Sequence, residues 1–375
     1  MMKYKNLKIF DVYITSMVAV ATLVAIIAFI VVWISPETLF KVIHRVTYGH
    51  ITLQQGLEWL FFEIPTILGK AIPVGLLLGS LVITDMLSRN FELVIFRSIG
   101  ISFWRIARPI IVLSMVFAVF CFFAYNTFIP YSSQRVENIK SGGGRGTIQW
   151  SYLEKDKHSN PKQLIVVSKT DGTYMENINV FQITPQDNNK DKNVSMKKII
   201  FAKNAVFEKD LFKIQDVTVY EVAPTGIFNK IEEKSEMVIL EGKTANNANK
   251  LLQMHGVEPD DLTKKQIQEH LKLLKDEQIN DEYNAYLNNL YQRFAQTLSC
   301  IIFAICGVIL GWSRPRENRL LGFTIGAVII FSYYLTVPFI NMLAEKSILP
   351  PIITAFLPLI IISVGMFFYA RTKDL

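Results

Sequence analysis

Gly242-Lys243-Thr244 is the first place to look for catalysis, because phosphate-cradling loops close on this tripeptide. Such a loop needs a glycine five residues before Gly242, so that backbone N–H groups can turn toward the phosphates. That position is Met237, and the tripeptide reads as an ordinary loop. His44, His50, His158, His255 and His270 are dispersed and form no His-Glu-x-x-His zinc signature. No Gly-x-Ser-x-Gly elbow presents a serine nucleophile. Cys121, Cys300 and Cys306 lie inside apolar runs, where neither a disulfide framework nor a metal set can be read. A catalytic function would have to rest on residues that form no recognised pattern, so binding and transport are the readings to pursue first.

Binding chemistry is better represented. Lys41, His44 and Arg45 are spaced i, i+3, i+4, which places them on one face of a helix just beyond an apolar run. Such a face can hold phosphates through charge and hydrogen-bond donation. The bland alternative is a set of interfacial side chains snorkelling to headgroups. Arg293 opens a later apolar run and could complete the same basic ring, with the same alternative. Lys70 lies inside an apolar run, two helical turns after Glu63. An intramembrane charge faces a partner or a cavity, so a contact with another helix and a contact with lipid are both open.

A different pattern fills 85–102, which is too polar to span a membrane and too apolar for a plain loop. As one helix it aligns Leu87, Phe91, Val94 and Ile95, with Arg89 and Glu92 to one side and Arg97 further on. Gly100 can end it in a left-handed cap, and Ser102 can start the next helix. A helix lying on lipid headgroups is one reading. An acidic residue facing an anionic surface fits a protein partner better.

The elements that must carry these residues follow from an uneven composition. Of 375 residues 51% are hydrophobic, and the formal charge is +7. Residues 131–285 hold 22 of the 39 basic and 23 of the 32 acidic side chains, so the basic excess belongs to the apolar flanks. One soluble globule is excluded, and a nucleic-acid partner is not supported, because that requires a basic stripe on a soluble face. Apolar runs at 12–34, 57–86, 106–128, 294–312, 320–343 and 352–370 are each long enough to cross a bilayer. The first is too long for a signal peptide and lacks a small-residue cleavage site, so it is expected to remain as a helix.

Basic residues stay cytoplasmic, and Lys3, Lys5 and Lys8, the arginines 89, 97, 105 and 108, Arg314, Arg316 and Arg319, and Arg371 with Lys373 agree only if both termini are inside. The insert then faces outward, into the periplasm of a bacterium with two membranes. It opens on a Gly-rich hinge at 141–146, and β-prone runs follow at 163–168, 179–184, 198–208, 213–223 and 235–240. Turn residues at 171–172, 185–189 and 224–226 separate them. Helical spacing returns at 260–281, with Asp260 or Asp261 as N-cap, and is expected to run into the fourth span. The expected fold is an α-helical membrane protein of six transmembrane helices with an all-β, jelly-roll-like domain between helices 3 and 4. Its parts are 1–130, with a coupling helix near 86–100, then 131–285, then 286–375.

Several of these residues resemble the LptF/LptG permeases of the lipopolysaccharide-export ATP-binding-cassette transporter. They are Pro65, Pro73, Gly75 and Gly79, the run from Glu92 to Ser102, Tyr291 to Arg293, Phe303 to Gly311 with Arg314 and Arg316, and the prolines 350, 351 and 358. The resemblance covers both membrane halves, while the insert matches in position, length and β character alone. It implies a permease that is not itself an enzyme and carries no cofactor. A separate cytoplasmic ATPase dimer binds ATP and Mg. A second permease subunit, paralogue or self, closes a cavity for one lipopolysaccharide molecule, and periplasmic jelly-roll proteins form the onward bridge from the inner membrane. Lys41, His44, Arg45 and Arg293 would hold head groups; Phe331, Tyr333 and Tyr334 would meet acyl chains. Arg89, Phe91, Glu92, Ile95 and Arg97 would couple to the ATPase. The rivals are a membrane sensor or mechanotransmission protein with an extracytoplasmic β domain, and a membrane enzyme acting on lipid or envelope polymers.

Overall fold

The computed structural model describes residues 2–34, 38–140, 148–155, 161–170, 174–185, 194–208, 210–222, 228–254, 257–312 and 320–372. The Gly-rich hinge, the turn residues 171–172, 186–189 and 224–226, His158, His255, Arg314, Arg316, Arg319 and Lys373 lie outside the described residues, as do the side chains of Lys3, Lys5 and Lys8. In chain order the helices are α1 (Met2–Ile34), α2 (Phe40–Thr47), α3 (Leu53–Arg89), α4 (Glu92–Ser98), α5 (Phe103–Phe123) and α6 (Ile129–Lys140). Strands β1 (Ile148–Lys155), β2 (Pro161–Thr170), β3 (Tyr174–Pro185), β4 (Val194–Glu208), β5 (Leu211–Val222) and β6 (Phe228–Glu241) come next. Helices α7 (Gly242–Met254), α8 (Lys264–Asp276), α9 (Asn280–Gly311), α10 (Leu320–Glu345) and α11 (Pro351–Thr372) complete the chain.

All six expected spans are present among the described residues, at Ile9–Ile34, Leu53–Arg89, Phe103–Lys140, Asn280–Gly311, Leu320–Glu345 and Pro351–Thr372. Most outrun their apolar cores. Thr52 and Gln55 form a capping box that starts α3 ahead of its apolar run, and a π turn at Ala124–Phe128 carries α5 onward into α6. The helices pack around α3 and α9, whose backbones approach closely at Gly307 and Gly311. A Cβ at Gly307 would collide with Ser80 Oγ and Leu77 O, and one at Gly311 with Leu81 O. Small residues permit this contact where no hydrophobic effect drives helices together. The gap is bridged by Ser80, whose hydroxyl donates to Ala304 O at 3.1 Å. Cys121 and Cys300, both free thiols, meet at 3.7 Å and join α5 to α9.

The chain divides into two compact units, one made of Met1–Ile139, Pro259–Ile267 and Asn280–Leu375, the other of Lys140–Glu258 and Gln268–Ile279. The second unit is built on one antiparallel sheet in the order β1-β2-β3-β4-β5-β6. This corrects the jelly-roll expectation, because each strand pairs with its sequence neighbours and no Greek-key crossover occurs among the described strands. One face is buried in rows: Tyr152, Ile165, Val180, Ile200 and Val219 are register partners, as are Trp150, Val167, Ile178, Ala202 and Val217. A single sheet can bury that face by rolling, and this one does. Gln163 of β2 donates to Ile239 O of β6 at 3.4 Å, and the Trp150 ring of β1 lies 6.4 Å from Phe207 of β4.

Three local expectations also change. Gly242 has φ +61 and starts α7, where a loop was expected; Ala245, Ala248, Leu251 and Leu252 of that helix are buried. Thr263, rather than either aspartate, caps α8: its N–H donates to Gln266 Oε1 at 2.9 Å and its hydroxyl accepts from Gln266 N at 3.4 Å. Helix α8 stops at Asp276, and Gln278 at φ +55 breaks it from α9, so the helical spacing does not run continuously into the fourth span.

Candidate functional site

Lys41, His44 and Arg45 all lie on α2, a helix seated on the start of α3. Val42 anchors it in a cluster with Ile51, Trp59 and Val136, and Gly56 leaves room for Val42 and Val46. Lys41 and His44 are exposed, and the His44 ring lies 4.3 Å from that of Tyr48. Arg45 is half-buried with its guanidinium 5.4 Å from the Trp59 ring centre, a cation–π contact that holds the charge on the α3 side. The Trp59 indole N–H in turn donates to Glu63 Oε2 at 3.2 Å. Two of the three predicted basic residues are therefore presented outward on one short helix, and the third is oriented by an aromatic shelf.

Lys70 does not pair with Glu63, which Trp59 engages. Its ammonium lies 6.0 Å from the Trp33 ring centre of α1, and Tyr334 of α10 donates to Lys70 O at 2.7 Å. The hydroxyl reaches α3 three residues before Pro73 of the same helix. Helices α1, α3 and α10 thus meet around an intramembrane cation. Of the aromatics expected to meet acyl chains, Phe331 is exposed, but Tyr333 is buried edge-on against Phe303 and belongs to the core.

Arg293 occupies a different setting from the exposed basic helix. It is buried, and its guanidinium donates to Asn289 Oδ1 at 3.2 Å, Tyr125 O at 3.1 Å, Pro259 O at 2.9 Å and Leu262 O at 2.7 Å. Four of its five N–H groups are satisfied within the protein. Arg293 therefore acts as a tether of the 259–262 turn to α9, and a lipid contact is not carried forward for it.

The coupling segment is bent where one helix was expected. Helix α3 ends at Arg89, which pairs with the buried Asp85 at 3.2 Å; Phe91 then takes the left-handed conformation at φ +61, and α4 follows. Leu87 consequently stays fully buried in α3 and does not share a face with Phe91, Val94 and Ile95. Those three and Ile99 are 49 to 68% exposed. A bulky side chain at positive φ costs about 1 to 2 kcal/mol, an outlier of the kind found at functional turns. Gly100 has φ +84 and Ser102 stands at the N-cap of α5, although its hydroxyl makes no cap bond.

The other side of α4 is anchored. Leu93 is buried among Ile14, Val18 and Ile106, and Phe96 meets Phe10 edge-on with centroids 5.0 Å apart. Arg97 lies 5.7 Å over the Trp312 ring, and Glu92 accepts from Tyr13 Oη and Asn90 Nδ2, each at 3.4 Å. Arg105 grips Asp11 with two hydrogen bonds, at 2.6 and 3.0 Å. Sequence reasoning missed Phe10, Asp11 and Tyr13, which look like the flank of a span; their signal was a lone acid beside the first apolar run, opposite an arginine in the 85–108 region. Among the described residues no group of His, Cys, Asp or Glu is arranged to hold a metal ion.

Six spans and a rolled sheet that follows the third and precedes the fourth define a multi-pass membrane protein with a large extramembrane insert. The chain belongs to the lipopolysaccharide export system permease LptF/LptG family, whose sequence profile matches residues 12–372. A comparison with individually curated proteins gave no match. Family membership makes it a transporter permease of the lipopolysaccharide export system.

Proposed function

We propose that this chain is a permease subunit of an ATP-driven exporter that extracts lipopolysaccharide, or a related anionic glycolipid, from the inner membrane and passes it to a periplasmic bridge. Both termini face the cytoplasm, where a separate ATPase dimer carries ATP and Mg. A second permease, paralogue or self, completes the cavity. The observation that carries the reading, beside family membership, is the two-sided construction of α4: one side is fixed to α1, to α5 and to Trp312 just past α9, and the other offers Phe91, Val94, Ile95 and Ile99. An exposed apolar patch flanked by Glu92 and Arg97 suits a protein groove.

The basic residues on α2 and the cation of Lys70 supply positive charge for lipid phosphates. Spans α1 and α10 are the least buried of the six, and their exposed Val24, Ile27, Phe331 and Leu335 give acyl chains an apolar wall. Closure of the ATPase would move α4 and narrow the cavity. The test is isolation of the full-length chain from its native membrane in mild detergent. An ATPase subunit and anionic glycolipid are expected with it; a chain that carries neither fits the sensor reading and contradicts this one.

A further inference from the structure

We infer that Phe10, Asp11 and Tyr13, at the cytoplasmic end of α1, are positioning residues that hold α4 in its docking pose before the ATPase arrives. This rests on the coupling role proposed for α4 and names the residues that set the direction of its exposed side. Helix α4 cannot set that direction alone. It has seven residues, well short of the roughly 12 to 15 that an isolated helix needs in water, and Phe91 at its N-cap supplies no side-chain cap bond. The chain enters it at Phe91 with φ +61 and turns away from it at Gly100 with φ +84. With sharp turns on both sides, its orientation has to come from tertiary contacts.

Those contacts fall on one side. Glu92, Leu93 and Phe96, spaced i, i+1 and i+4, are the attached residues, whereas Phe91, Val94, Ile95 and Ile99 stay exposed. Glu92 accepts from Tyr13, Phe96 meets Phe10 edge-on, and Leu93 is buried in the cluster that holds Ile14 and Val18. Asp11 completes the attachment through the next element. Arg105, in the first turn of α5, gives it two hydrogen bonds and lies 5.4 Å from the Phe10 ring centre. Residues 10–14 of α1 thus grip both helices that flank the turn at 99–102, and α4 cannot tilt against α5 unless one of these contacts breaks.

Helix α1 can serve as the reference because it is itself fixed. Thr22 is fully buried, and a Cβ at Gly79 of α3 would collide with it, as one at Gly75 would with Ile26. Further along, Phe29 and Ile30 pack on the core, and Trp33 lies against the rings of Phe29 and Tyr334. A surface ordered in advance loses less conformational freedom when its partner binds, so residues behind the docking side can raise affinity without supplying the contact.

The experiment uses the full-length chain in nanodiscs. Hydrogen exchange across residues 92–98 is measured without the ATPase, which is then titrated in for a dissociation constant. Asp11→Arg sets two cations face to face and is expected to speed that exchange and to weaken ATPase binding roughly fivefold, a modest factor because the native ion pair is partly exposed. Asp11→Arg with Arg105→Asp is expected to restore both, which the loss of a direct ATPase contact would not allow. Native affinity in Asp11→Arg overturns the inference whatever the exchange shows, as does a folded double variant that fails to restore the affinity. Where Asp11→Arg does not accumulate, Asp11→Ala removes the acceptor without adding charge, and native affinity in that variant overturns the inference equally. A native chain that binds no ATPase overturns the coupling reading instead, and the exchange measurement, made without the ATPase, tells that failure from a failure of the positioning.

Discussion

The Tyr13 hydroxyl and the Glu92 carboxylate meet at 3.4 Å, which ties the first span to the first residue of α4. Glu92 has a second donor in Asn90, yet a carboxylate has room for about four hydrogen bonds, so an Arg or Lys of a partner can still be accommodated. A charge-assisted bond of that kind contributes about 1.5 to 3 kcal/mol, roughly a tenfold to hundredfold change in affinity. Glu92→Lys is expected to lower ATPase recovery with the permease, or to leave hydrolysis without transport, while insertion and lipid binding persist. A normal complex with full transport would assign the coupling to the apolar residues Phe91 and Ile95 or to another loop altogether.

Orientation gives a sharper test, because each misplaced basic cluster would cost a few kcal/mol to bury in lipid. A single cysteine introduced at Ser168 should react with an impermeant maleimide added to spheroplasts. One introduced at Ser313 should react only after the membrane is opened. Reversal at either position sinks the proposed topology.

The outward charges of α2 make a separate prediction. Reversing both Lys41 and Arg45 to glutamate is expected to weaken lipid crosslinking and export in vivo while ATPase recovery stays normal. Since Arg45 is oriented by Trp59, Trp59→Ala should produce a milder version of the same defect. Unchanged crosslinking in the double reversal would leave the two as interfacial side chains and move the cavity charge elsewhere, with Lys70 next in line.

The rolled sheet carries a pH dependence through His270, which is buried on α8 and has its pKa lowered from 6.5 to about 4 by burial. The unfolded chain then binds the proton more readily than the folded one. Stability contributed by the neutral imidazole is complete above pH 6.5, falls as the pH drops toward 4, and is gone below it, a loss of about 3 kcal/mol. Hydrogen-exchange protection of β1 to β6 in the full-length protein should decline over that interval. His270→Phe should flatten the decline, and an unaltered profile in that variant would remove His270 as its cause.

The sequence disclosed what periodicity and length control. All six spans, five of the six strands, the turn at Gly100 and the shared helix of Lys41, His44 and Arg45 could be read from apolar runs, alternation and spacing. Strand order could not, since alternation marks the buried face of β2 or β4 without saying which neighbour it pairs with. Phe91 at positive φ was hidden for another reason: a bulky residue has no local preference for that conformation, and tertiary anchoring of Leu93 and Phe96 imposes it. Arg293 misled because exposed and tethered arginines look alike at the end of an apolar run. Its acceptors come from residues 31 to 168 positions away as well as from Asn289 one turn before it, and only the fold assembles them.

ATP hydrolysis on a partner is proposed to drive an anionic glycolipid out of the membrane through this chain. The most direct measurement is transfer of photocrosslinkable lipopolysaccharide from proteoliposomes, holding the isolated complex, to a soluble periplasmic acceptor with and without ATP. Transfer is expected to require ATP with the native chain and to fall to the nucleotide-free background with Glu92→Lys, although lipid remains bound. Transfer that proceeds equally without ATP, or a native complex that hydrolyses ATP and binds lipid but releases none, would contradict the account.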